Sequence, residues 1–258
     1  MWEWNTSRLS FLLKSTYDVL PSPVNLVRWK ISEEDKCRCG KSGTMKHILS
    51  NCHLALERYT WRHNEVLKVL TEAAEVQVED RKYFPLPDNR EERKIEFVKQ
   101  GELTRKRVEA CNDIPVPLIE PRGLKWEVSA DLKGCSRFFP IPTAKKPDLV
   151  IWSEEEKAVH LIELTVPHEA NISDAHERKE NRYEALVEEC EEAGWEAKHF
   201  PVEVGCRGFV ANSVTVWMKV AGLGHRQRKE LTRKLQEAAE KASHWIWVKR
   251  DDTTWNET

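Results

Sequence analysis

Lys146-Pro147-Asp148-Leu149-Val150-Ile151-Trp152 and, a little further on, Val159-His160-Leu161-Ile162-Glu163-Leu164-Thr165-Val166 are the stretches on which the reading of this chain turns. Each is a short, almost unbroken apolar run, the pattern of a strand buried in a sheet. Strand alternation puts Val159, Leu161, Glu163 and Thr165 on one face. An acid in the middle of such a strand is expensive unless something compensates it. Asp148, at the start of the neighbouring strand, is a second acid. Two carboxylates on adjacent strands make an oxygen-rich site suited to Mg²⁺. The following segment reads as a helix over 173–193, with Ser173 or Asp174 as N-cap and Gly194 as the stop. Its apolar stripe runs through Ala175, Lys179, Tyr183, Leu186, Cys190 and Ala193, so Lys179 turns toward the sheet, where an unpaired lysine is rarely found. Beside two acids and a metal, Lys179 could orient a water or stabilise charge on a phosphate. The competing reading is a lysine snorkelling from the edge of its stripe.

Working outward, Trp126 to Leu132 alternates like a strand and His199 to Val204 reads as another. Helices are expected over 212–221 and 225–247. Upstream, helical spacing of Leu56, Tyr59, His63, Leu67 and Leu70 predicts a helix over 55–75. Residues 80–90, with Pro85 and Pro87, form a linker candidate, and a charged helix is expected over 89–110. A helix from Thr6 to Leu20, a turn at Pro21-Ser22-Pro23 and a second short helix precede the rest. The order of elements argues for an α/β fold with a mixed sheet flanked by helices. Three segments are expected: residues 1–35 as a helical linker, 36–75 as a cysteine module with its following helix, and 76–258 as the sheet domain.

The chain has 258 residues, 40% hydrophobic and 33% charged, with a formal net charge of −2. That balance excludes neither a nucleic-acid partner nor its absence, because binding needs a local basic face. No stretch approaches the roughly 20 apolar residues of a membrane helix. The N-terminus lacks the form of a signal peptide. An intracellular protein with no membrane partner is expected. Seven cysteines, an odd number, fit a reducing compartment better than a disulfide framework. Three of them stand in Cys37-Arg-Cys39-Gly-Lys-Ser-Gly-Thr-Met-Lys-His47-Ile-Leu-Ser-Asn-Cys52. Three thiolates and an imidazole suit one tetrahedral Zn²⁺, and four protein ligands make the site closed and structural. His53 is the alternative ligand. The gap between Cys37 and Cys39 is shorter than the usual knuckle spacing.

The order of "LPSPVNLVRW", CRCG…HILSNC, "RYTWRHNEVL", KPDLV, "ELTVP", "ERKENRY" and "PVEVGCRGF" resembles the C-terminal region of non-LTR retrotransposon polyproteins, in the branch that carries a restriction-enzyme-like endonuclease. The resemblance runs from about Leu20 to Trp247. It implies a PD-(D/E)xK restriction-endonuclease-like fold preceded by a CCHC zinc knuckle. Asp148 then takes the PD aspartate and Glu163 the second acid, with the carbonyl of Leu164 completing the Mg²⁺ (or Mn²⁺) ligands. The lysine usual two residues after that acid is Thr165 here. The resemblance moves its role to Lys179 on the next helix and matches Tyr183 as a further site residue. Arg62 and His63 match an arginine–histidine motif assigned to nucleic-acid contact. Lys146 and Arg182 join them as candidate contacts, and would be next in line for the lysine role. The implied activity is Mg²⁺-dependent nicking of target DNA in the nucleus, which frees a 3′-hydroxyl to prime reverse transcription. The implied partners are DNA, element RNA and the reverse-transcriptase domain of a parent polyprotein, whose aspartate-pair core this sequence lacks.

The alternative is a non-catalytic nucleic-acid-binding module on a degenerate nuclease fold. It would use the knuckle, Arg62, His63 and the basic residues Arg226, Arg228, Lys229, Arg233 and Lys234, although Glu230, Glu237 and Glu240 dilute that charge. A host-adopted scaffold without activity is a third reading. The acid pair favours the enzyme, since a pure binder has no need of buried carboxylates.

Overall fold

The computed structural model describes residues 6–79, 125–133, 139, 141, 143, 145–252 and 254–255. The expected linker at 80–90 and charged helix at 89–110 lie outside them. The protein is a mixed α/β fold built on a four-stranded sheet in the order β1-β2-β3-β4. The strands are β1 (Glu127–Ala130), β2 (Leu149–Ser153), β3 (Ala158–Thr165) and β4 (Glu196–Glu203). β1/β2 and β2/β3 are antiparallel, and β3/β4 is parallel through the crossover helix α4 (Ile172–Glu192). β3 is buried along its whole length, as its unbroken apolar run predicts.

The two faces of the sheet carry separate cores. On one, Val150, Val159 and Leu161 pack with Tyr183, Leu186 and Cys190 of α4. On the other, Leu149, Ile151, Ile162 and Leu164 pack with α3 (Leu56–Glu79), α5 (Asn212–Val220) and α6 (His225–Val248). Helix α3 contributes Val66, Leu67, Leu70 and Ala74 to that core. The helix that follows the cysteines is therefore also a wall of the sheet domain. The N-terminal helix α1 (Thr6–Thr16) packs along α6. Arg8 donates to the buried Glu240 (Nε···Oε2 3.1 Å), and Phe11 joins Ile246 and Trp247 in a third cluster.

Several boundaries differ from expectation for local reasons. α1 stops at Thr16, where the chain turns through Asp18 at φ 52°, instead of running to Leu20. α4 has Asn171 at its N-cap, not Ser173 or Asp174, because a 3₁₀ turn, Glu169–Asn171, leads into it. Gly194, at φ 84°, ends α4 as expected. β4 begins at Glu196, three residues early, because Glu196 N–H bonds the Lys157 carbonyl beside β3. The short second helix is α2 (Pro23–Arg28), with Ser22 as its N-cap. No helix among the described residues is long and apolar enough to cross a membrane.

Candidate functional site

The sheet register decides where the acids meet. Leu149 pairs with Ile162, so Asp148, one residue before β2, faces Glu163 on β3. Both side chains lie on the α4 face. The Asp148 N–H donates to Glu163 Oε2 (3.1 Å), and the Leu164 N–H donates to Asp148 Oδ2 (2.9 Å). Glu163 is only 3% exposed. Its counter-charge comes from α4: the Lys179 ammonium donates to Glu163 Oε1. Lys179 thus points inward, and the snorkelling alternative is set aside. Burial, and then the neighbouring Asp148, push the Glu163 carboxyl above the usual range, against the pull of Lys179.

One turn beyond Lys179, Tyr183 is buried (1% exposed) and donates its hydroxyl to the Lys146 carbonyl at 3.3 Å. Burial and the adjacent Glu163 raise its pKa, so it stays a neutral phenol. The side chain of Lys146 is exposed, as is that of Arg182, whose guanidinium lies 5.8 Å from the Tyr183 ring centre. Neither contacts the acids.

Arg62 and His63 part company. His63 reaches round the strand ends from α3, and its Nε2 lies 3.2 Å from Asp148 Oδ2 and 3.3 Å from the Leu164 carbonyl. Burial works against its positive charge, but the hydrogen bond and charge of Asp148 outweigh it, so the pKa is raised. Its ring therefore stands at the acid pair. Arg62 is 2% exposed. Its guanidinium donates to Leu49 O (2.8 Å), Ser243 Oγ (3.0 Å) and Val166 O (3.0 Å). It ties the cysteine module, the end of β3 and α6 together. Arg62 is thus buried among bonds between elements while His63 faces the acid pair: a helix turns successive residues by about 100°, so adjacency in the motif gave no common direction.

Sequence reasoning missed Asp131. Its N–H donates to the Asp148 carbonyl (2.9 Å), continuing the row of acidic residues across the sheet at the end of β1. The alternation of Trp126 to Leu132 contained that signal, since Asp131 falls on the same sheet face as Asp148.

Asp148, Glu163 and the Leu164 carbonyl are all hard oxygen donors, which fits Mg²⁺. Two of the protein's own side chains sit on the same oxygens: Lys179 on Glu163, and His63 on Asp148 and the Leu164 carbonyl. The site is thus matched in donor type to a divalent cation that would compete with two side chains.

The cysteine module is a separate cluster. One ligand atom from each of Cys37, Cys39, His47 and Cys52 lies within 4.8 Å of the others, forming a possible zinc-binding group. Among the described residues it is the one group of three or more His, Cys, Asp or Glu side chains that could hold an ion. The Cys37 and Cys52 sulfurs are 3.8 Å apart and unbonded. Two thiolates on a tetrahedral zinc, each about 2.3 Å from the metal, stand roughly 3.8 Å apart. Gly40, at φ 81°, lets the chain reverse between the first thiolates and the Cys37–Lys41 backbone bond. The Tyr59 hydroxyl donates to Ile48 O (2.7 Å) and accepts from the Cys52 N–H (3.2 Å), holding the turn that carries His47 and Cys52. Burial and the nearby Lys41 keep the His47 pKa low, and hence the imidazole neutral, the form that binds metal. His53 is exposed and outside the group. On α6, Arg233 faces Glu237 and Lys234 faces Glu230, so its basic residues are partly neutralised.

No protein-family model matches the chain, and no curated protein is significantly similar to it.

Proposed function

We propose that this protein is a metal-dependent DNA endonuclease of the PD-(D/E)xK kind, stabilised by one structural Zn²⁺ on Cys37, Cys39, His47 and Cys52. The observation that carries the reading is the buried Glu163, opposed to Asp148 across two strands and paired with Lys179 from the crossover helix. Two acids and a lysine converging at one sheet end are costly for folding alone, and they match the needs of phosphodiester hydrolysis. A Mg²⁺ or Mn²⁺ ion on Asp148, Glu163 and the Leu164 carbonyl would supply Lewis-acid charge at the scissile phosphate. The chain's own residues account for the rest. Lys179 places an ammonium where charge builds on the phosphate oxygens. Tyr183 stays protonated and packs the lysine's helix onto β3. His63 holds the Asp148 carboxylate in orientation as a positioning residue. Water adds to phosphorus as the P–O3′ bond breaks, and the leaving oxygen ends as a 3′-hydroxyl.

The order of motifs along the chain supports a place in a non-LTR retrotransposon polyprotein, where such a nick would prime reverse transcription in the nucleus. DNA, element RNA and a reverse-transcriptase domain would be its partners.

The test is a plasmid-nicking assay in Mg²⁺ and in Mn²⁺. Wild-type protein should relax supercoiled plasmid, while Asp148→Asn and Glu163→Gln should not. Intact plasmid with wild-type protein in both metals, under conditions where it still binds DNA, would turn the reading to the non-catalytic binding module.

A further inference from the structure

A second polar site lies between the acid pair and the cysteine module. There a cavity of about 260 Å³ is bounded by the end of β3, the start of α4, α3 and the turn after His47. Four of its wall residues, Ser50, Arg62, Thr165 and His168, each hold a buried polar atom without a hydrogen-bond partner: Ser50 Oγ, Arg62 Nε, Thr165 Oγ1 and His168 Nε2. Native proteins leave few such groups, and four around one cavity point to a missing ligand. All four can donate. Ser50 and Thr165 offer hydroxyls and Arg62 an N–H. His168 Nδ1 accepts from the Ala170 N–H (3.3 Å), which puts the ring proton of the neutral tautomer on Nε2.

The charge agrees. The Arg62 guanidinium is bonded only to neutral oxygens. Glu169, the acid near enough to act on it, is engaged by the Arg207 side chain and N–H. None of the cavity's wall residues is acidic, and the exposed Arg178 adds a second guanidinium. Lys46, bonded to Asn171 of the wall (2.8 Å), stands close by. A buried, uncompensated guanidinium is costly unless an anion reaches it.

We propose that this cavity binds a tetrahedral oxyanion, a phosphate group, through Arg62, Ser50, Thr165 and His168, with Arg178 on its rim. Thr165 lies two residues beyond Glu163 on the same strand face, about 7 Å along β3. Arg178 directly precedes Lys179. A phosphate here would therefore neighbour one held at the acid pair, as successive phosphates of a nucleic-acid strand do. That the phosphate belongs to a nucleic acid rests on the endonuclease reading, whereas the oxyanion site itself does not.

The test titrates inorganic phosphate into the full chain, following the His168 ring nitrogens by NMR and thermal stability in parallel. Chloride at matched ionic strength is the control. Phosphate should shift the His168 Nε2 resonance and raise the melting temperature, and chloride should do neither. Ser50→Ala/Thr165→Val, which nearly conserves volume, should weaken phosphate binding about tenfold or more, because hydrogen bonds to a charged group are lost. Arg178→Gln, on the surface, should weaken it without loss of fold. No phosphate-specific shift, or unchanged affinity in both variants, overturns the proposal and leaves a cavity that holds water. A DNA oligonucleotide that displaces phosphate, while its methylphosphonate analogue does not, assigns the site to the nucleic-acid backbone. Binding of phosphate alone assigns it to the free anion and still supports the site. Intact plasmid together with bound phosphate would sink the endonuclease reading and leave this one standing.

Discussion

Glu163 and Lys179 each have a place in the fold only because the other is there. An ionised carboxylate at 3% exposure inside β3 needs a partner, and Lys179 is the cation that reaches it. Lys179→Ala should cost about 1–3 kcal/mol, since it leaves that acid unpaired, and should lower nicking by roughly 10²–10³-fold. Glu163→Gln, which removes the charge and keeps the shape, should lose nicking with a smaller loss of stability. Urea titrations and initial nicking rates would check both. A Lys179→Ala protein that cuts normally would return the role to Lys146 or Arg182. The pairing was legible in the sequence because both residues interrupt an apolar period. The roles of His63 and Arg62 were not, because the side-by-side motif carries no sign of which residue turns inward. Buried histidines, His160 foremost and His199 with its pKa lowered by burial to about 4, contribute to the response to acid. His160, 2% exposed between the Trp126 and Phe200 rings, has its pKa lowered by burial to about 3. The unfolded chain takes up its proton near pH 6.5 and the folded chain does not, so stability is full above pH 6.5 and falls as the pH drops toward 3. In His160→Leu the slope of stability against pH between 6.5 and 5 should be shallower than in wild type. An unchanged slope would place the acid sensitivity elsewhere.

At the scale of elements, three parts of the fold meet at Arg62. Its three bonds run to the turn that carries His47 and Cys52, to the end of β3 and to α6, so a single side chain fixes their mutual arrangement. Arg62→Ala should orphan these acceptors and cost about 3 kcal/mol or more, measured by urea denaturation. A variant as stable as wild type would show that Arg62 does not hold these elements together. The loop of "PVEVGCRGF" has a packing reason for its glycines. A Cβ on Gly205 would lie 2.7 Å from the Glu169 carboxylate, and one on Gly208 would lie 2.8 Å from the Gln236 carbonyl. Strands β2 and β3 and helices α3, α4 and α6 were readable from their periods to within a few residues. The register that opposes Asp148 to Glu163, and the 3₁₀ turn that displaced the α4 cap, were not. Both depend on pairings between distant segments that a local period does not encode.

For the whole molecule, the governing feature is that α3 begins at the cysteine module and packs its middle, Val66 to Ala74, into the sheet core. With zinc as the ion, stripping it with a chelator should melt both together. Far-ultraviolet circular dichroism and tryptophan fluorescence should then give coincident transitions at a lower temperature. An early transition confined to one probe, with the sheet unchanged, would show that the module folds separately. The shared helix also makes the sheet domain answer to its surroundings. Ion binding to the folded form alone adds RT ln(1 + [L]/Kd), so near saturation each tenfold fall in free zinc removes about 1.4 kcal/mol from the entire fold. The amount of folded protein at the acid pair would therefore track the metal supply, and scarcity of an ion remote from the acids would act as a brake on whatever they do.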